Sequence, residues 1–189
     1  LRIDTTDSPT LASRGARLEL GGVFSRTGLG AETSYERVDA RFAWLVSRGE
    51  STWLWGLDAG TNLGSELPAY AEFLVGGLLS LGGYGEGELR GQRFGVARLG
   101  YRRQLLELPP GLGQGVYAAL VLEAGDVWEL GEEVDLGSPR WSTTALVGAD
   151  TVLGPVFLAM ARPSAATGGF TLRSGAGSEA RLLRCGGPW

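Results

Sequence analysis

Residues 37–60 read "RVDARFAWLVSRGESTWLWGLDAG", two alternating runs around one turn. Val38, Ala40, Phe42, Trp44 and Val46 interleave with Arg37, Asp39 and Arg41. Trp53, Trp55, Leu57 and Ala59 interleave with Thr52, Gly56, Asp58 and Gly60. Successive strand side chains point to opposite faces, so a period of two makes each run a strand with one apolar and one polar face. The "SRGES" between them, at 47–51, makes the pair a hairpin.

The same pattern recurs along the chain. Ala16, Leu18, Leu20, Gly22 and Phe24 oppose Arg17, Glu19, Gly21 and Ser25. Val116, Ala118, Leu120, Leu122 and Ala124 oppose Tyr117, Ala119, Glu123 and Gly125; Thr143, Ala145, Val147 and Ala149 oppose Ser142, Thr144, Gly148 and Asp150. Turn signals at 64–68, 108–115, 130–140 and 153–155 separate these runs. About ten strands are expected, near 1–6, 15–25, 33–47, 51–62, 69–79, 92–107, 115–128, 140–152, 155–162 and 168–173. The fold class is all-β, an antiparallel meander. Several strands exceed the roughly five or six residues usual in soluble sheets and match the ~9–11 of a tilted membrane-crossing strand.

Composition agrees. Thirty-two glycines and eight prolines among 189 residues disfavour long helices, and no run reaches the ~18–20 apolar residues of a membrane-spanning helix. The net charge is −4, every cation is an arginine, and neither lysine nor histidine occurs. A basic nucleic-acid footprint is absent. Without histidine a Ser-His-Asp triad is impossible, and no G-x-S-x-G elbow or G-x-x-x-x-G-K-[ST] loop is present. Glu132 and Glu133 read as solvated turn charges, and nothing converges on Glu86 and Glu88. Cys185 is the single cysteine, which excludes a disulfide framework. No catalytic, metal or cofactor site is legible. A chain opening on Leu1 without a signal peptide reads as a piece of something longer.

Alternation alone does not say which face is inside. A soluble sandwich or barrel binding an apolar small molecule would turn Leu18, Phe42, Trp53 and Leu120 into a core. A membrane barrel inverts this, with apolar residues toward lipid and charge toward the lumen. Arg37, Asp39, Arg41, Arg98, Arg102, Gln104 and Glu123 mix both signs, as neighbouring strands pairing charges across a wet interior would require. Trp44, Trp53, Trp55, Trp128 and Trp141 fall near strand ends or turns, where interfacial girdles sit.

Residues 73–91, "FLVGGLLSLGGYGEGELRG", break a strand on paired glycines, place one tyrosine and end in a charged segment. This stretch resembles the hallmark of the bacterial surface-antigen superfamily of outer-membrane β-barrels, which includes barrel-assembly and two-partner secretion translocators. The matching positions are Phe73, Gly76 and Gly77, then Leu81, Gly82, Gly83 and Tyr84, then Leu89, Arg90 and Gly91. Asp4, Thr5, Asp7, Pro9 and Gly15 are similar to the family's strand start, and Tyr101 and Arg102 fit its strand after the loop. Glu123, Gly125, Asp126 and Trp128 match a further segment, as does "LGP" before "VFLAMA". The resemblance spans residues 1–162 and is greatest to the barrel attached to patatin-like phospholipases.

The resemblance implies that the loop folds into the barrel lumen, with Gly76, Gly77, Gly82, Gly83, Tyr84 and Arg90 structural or gating. Arg37, Asp39, Arg41, Arg98, Arg102 and Glu123 would line the wall. In many relatives an arginine two residues before the aromatic pairs with acidic wall residues; Gly82 stands there in this chain, so that lock is absent or passes to Arg90. The implied location is the outer membrane of a Gram-negative bacterium. Implied partners are outer-membrane lipid, the barrel-assembly machinery and an N-terminal passenger domain. The resemblance implies no enzymatic step for this segment, any phospholipase domain lying upstream. Family barrels have about sixteen strands, more than this chain supplies. Residues 163–189 read as an atypical tail, "GSEARLLRCGGPW" lacking the alternation of a closing strand.

Overall fold

A computed structural model describes residues 1–7, 12–109, 111–152 and 154–164, and the backbone of 171–176. Strands β1 (Arg2–Asp4), β2 (Gly15–Ser25), β3 (Tyr35–Arg48), β4 (Ser51–Thr61), β5 (Phe73–Val75) and β6 (Leu89–Gly91) make the first half. They are followed by β7 (Arg93–Glu107), β8 (Gly113–Trp128), β9 (Arg140–Thr151), β10 (Gly154–Pro163) and β11 (Thr171–Ala176). Nine of them form one antiparallel meander in the order β1-β2-β3-β4-β7-β8-β9-β10-β11, and β5 and β6 pair separately. Among the described residues no pairing joins β1 to β11, so the sheet is an open part of a barrel. Among the described residues no helix is long and apolar enough to cross a membrane, which says nothing of crossing by strands.

The two faces differ as the alternation predicts. One is bare and apolar: Phe42, Trp53 and Leu120 are 40, 43 and 47 % exposed, with Trp44, Trp55, Leu57, Leu99, Leu122 and Leu158 beside them. Leu18 is half-buried on this same face. The other face carries Arg17, Arg98, Arg102, Glu123, Ser142 and Thr144, all buried. The core is thus not the apolar side of the sheet. It lies between the polar face and the segments covering it: the long segment from 62 to 92 that connects β4 to β7, and Ala12, which packs on Ala43, Leu45 and Leu54.

Connections also segregate. Gly49 and Glu50 turn β3 into β4, and β9 ends at Thr151 shortly before β10 begins at Gly154; both short connections lie at one end of the sheet. The longer segments 26–34, 62–92 and 129–139 lie at the other. This asymmetry of short turns and long loops is that of outer-membrane barrels.

Three expectations change. The strand expected over 69–79 shrinks to Phe73–Val75 and pairs with β6 rather than joining the main sheet. The cause is local: Gly76 and Gly77 take φ of 121° and 102°, which ends an extended run, and β4 pairs directly with β7 behind them. Trp128 does not join an exposed girdle; it is buried, its ring lying against Gly95. The strand expected at 168–173 appears as β11, shifted to 171–176, while the rest of the tail lies outside the described residues.

Candidate functional site

The register sets the site's frame. Asp4, Arg17, Ala43, Gly56, Arg98, Glu123, Ser142 and Pro163 are successive partners across eight strands and form one row on the covered face. Within the row, Gly56 keeps its neighbourhood open for the Arg98 side chain. The guanidinium of Arg98 binds Asp58, and Glu123 stands one strand over.

Glu123 is 0 % exposed and receives the loop through its main chain. Leu81 N–H donates to Oε1 at 3.1 Å and Gly82 N–H to Oε2 at 2.8 Å. Thr144 donates its hydroxyl to Oε2 at 3.3 Å, and Gly83 N–H reaches Ser142 Oγ at 2.7 Å. A buried carboxylate is tolerable only when its oxygens are hydrogen-bonded and a cation is near, and both conditions hold.

Glycine is required here by space. A Cβ at Gly82 would fall inside contact distance of Thr144 Oγ1, and one at Gly83 would strike the backbone of Arg162 and Pro163. The loop reaches this position through a succession of turns. Ser80 N–H bonds Gly77 O at 2.9 Å, Tyr84 N–H bonds Leu81 O at 2.9 Å, and Gly77 N–H bonds Tyr84 O at 3.1 Å. Leu79 and Leu81 both adopt φ of 62°, a left-handed conformation costing ~1–2 kcal/mol for a residue with a Cβ. Leu81 offsets that cost by complete burial with Val75 and Val96.

Tyr84 packs at the rim of that cluster with Leu89, Phe94 and Val127. Burial pushes its phenol pKa above the ordinary value, against the opposing charge of Arg140. Beneath, Gln92 grips the loop's entry: its amide oxygen accepts from Leu67 N–H at 2.6 Å and its Nε2 donates to Leu67 O at 3.1 Å. Arg37 lies 4.1 Å above the Phe73 ring, donates to Ala71 O at 3.0 Å and approaches Asp39 at 4.0 Å. Arg41 shares a row with Glu19 and Asp58. Arg90 sits on the β5–β6 hairpin, 57 % exposed, with Nε 3.6 Å from Glu72.

Arg102 belongs to a separate group near the short-turn end. Its Nη2 donates to Ala12 O at 3.1 Å, Ser13 Oγ at 3.0 Å and Thr52 Oγ1 at 3.2 Å, holding residues 12–13 down on the covered face. Burial disfavours the Asp7 carboxylate, but the N–H groups of Ser13 and Arg14 outweigh it and hold its pKa below the usual range.

The six charged residues singled out from the sequence therefore divide into stations: Arg37 with Asp39, Arg98 on Asp58 with Arg41 beside it in the row, Glu123 under the loop, and Arg102 over residues 12–13. Sequence reasoning missed Asp58, Gln92 and the hydroxyls of Ser142 and Thr144. The two hydroxyls lie on the polar side of the β9 alternation, a signal that could have found them; a lone glutamine after Gly91 carries none.

A protein-family model of the Omp85 superfamily domain matches residues 1–173. Among curated proteins no match to the chain was found. Omp85 superfamily domains are outer-membrane β-barrels, whose strands turn an apolar face outward, and this chain belongs to that superfamily.

Proposed function

We propose that this chain supplies wall strands and the lumenal loop of an outer-membrane barrel that anchors or translocates an N-terminal passenger in its parent protein. The passenger that the sequence resemblance favours is a patatin-like phospholipase, so any hydrolytic chemistry belongs upstream and this segment acts mechanically. In that reading lipid covers the bare face, the barrel-assembly machinery inserts the strands, and the loop at Gly76–Tyr84 occupies the pore. The observation that carries it is the inversion of the sheet: Phe42, Trp53 and Leu120 are bare while Glu123 is wholly buried. A soluble domain would have to bury the former group at ~25 cal/mol per Å² of apolar surface and hydrate the latter.

Heat modifiability tests this. The chain refolded into detergent is expected to migrate faster unboiled than boiled, with β-type circular dichroism that depends on detergent. A chain that folds and stays soluble without detergent overturns the membrane reading and favours a soluble ligand-binding barrel. Fusion of a passenger to the N-terminus then tests transport, by protection of that passenger from external protease.

A further inference from the structure

The bare face has a chemically distinct corner at the short-turn end. Arg48, Ser51 and Arg103 are successive partners across β3, β4 and β7. Their inward neighbours fix their direction: Ser47 bonds Ser13 O from the covered face, and Arg102 reaches Ala12 O there. Arg48 and Arg103 therefore project from the bare face, two strand spacings or ~10 Å apart. Ser51 lies between them with its hydroxyl 2.9 Å from Tyr101 Oη. The next rows toward the sheet centre are aromatic: Trp53 packs on Tyr101 at 4.8 Å and Trp44 on Trp55 at 5.0 Å between ring centroids. Both arginines are exposed, and Arg103 has only a loose contact with Glu50 at 3.7 Å, an exposed pair contributing little.

We infer that Arg48 and Arg103, with the Ser51 and Tyr101 hydroxyls, bind the phosphate of an anionic phospholipid whose acyl chains lie along Trp44, Trp53 and Trp55. The inference rests on the membrane reading above. Apolar rings continuous with two cations select a diacyl lipid over a free phosphate, because tryptophan and tyrosine favour the headgroup level and cations there attract anionic headgroups. Short turns mark the periplasmic side of such barrels, so the lipid belongs to the inner leaflet.

The test uses the refolded chain in phosphatidylcholine vesicles containing brominated phosphatidylglycerol or brominated phosphatidylcholine, reading tryptophan quenching. Brominated phosphatidylglycerol should quench at lower mole fraction. Arg48→Gln and Arg103→Gln should each lower that preference roughly fivefold, the effect of about 1 kcal/mol per cation at the surface, and Glu50→Gln should raise it. Equal quenching by the two lipids in the unmodified chain, or a preference untouched in the double Arg48→Gln/Arg103→Gln variant, overturns the inference and leaves the barrel reading intact. Loss of the preference on adding millimolar glycerophosphate overturns the lipid assignment in favour of a soluble phosphate. Absence of quenching by either lipid overturns the barrel reading and the inference together.

Discussion

Two segments fold onto the charged face of this sheet, and they are held by opposite chemistry. The Gly76–Tyr84 loop presents main-chain N–H groups to an acid of the wall, Glu123. The connection at Ala12 and Ser13 presents oxygens to a base of the wall, Arg102. The first contact needs the main chain flush against the strand and therefore glycine at 82 and 83; the second uses a long side chain that bridges a wider gap and tolerates Ala12. A chain can thus replace a charged lock in a loop by bare backbone, provided that the wall keeps its carboxylate. Gly82, where the sequence resemblance implies an arginine, meets Glu123 through its N–H.

The comparison can be broken most sharply at Gly83. Gly83→Ala drives a Cβ into the backbone of Arg162 and Pro163, and overpacking of this kind costs about 3 kcal/mol. The loop should leave the wall, seen as rapid tryptic cleavage after Arg90 in the detergent-refolded chain; cleavage at the unmodified rate would refute the docking. Glu123→Gln comes next, at about 2 kcal/mol, because the amide confronts the N–H of Leu81 or Gly82 with a donor of its own. A lowered urea midpoint together with faster cleavage after Arg90 is the expected result.

Arg102→Ala should cost ~1.5–2 kcal/mol by removing charged hydrogen bonds to residues 12–13. Here the exposed product is the peptide bond after Arg14, while cleavage after Arg90 stays slow. Four residues of extended strand, ~13 Å, separate Arg102 from Arg98 beside Glu123, so the Arg102 and Glu123 effects should add within about 0.5 kcal/mol. Coupled losses would mean that the two segments form one plug rather than two. Arg90→Gln should do least: its guanidinium is more than half exposed and lies 3.6 Å from the largely buried Glu72 carboxylate, and a pair whose cation is solvated contributes about 0–1 kcal/mol. A large drop in the urea midpoint for this variant would restore Arg90 as the loop's lock.

Much of this was legible beforehand because strand alternation is a local property. Arg37, Asp39 and Arg41 against Phe42 and Trp44 already divided β3 into two faces, and the same division put Arg98, Arg102 and Glu123 on one face. The glycine pairs announced a loop, and their φ values explain why the strand expected over 69–79 stopped at Val75. Trp128 shows the limit: its position in sequence matches the exposed tryptophans, yet Gly95 on a neighbouring strand leaves room for its ring to lie flat.

By itself, then, the sequence determined the period, the segmentation and the two chemical faces, since these follow from the order of side chains along an extended backbone. Only the tertiary structure decided which face is covered and what each charge meets there. Glu123 meets backbone N–H groups from residues some forty positions earlier, and Arg102 reaches Ala12 across ninety. Those partners are set by strand register and by the space that glycines leave between chains. Neither is encoded in the local alternation that identifies a strand.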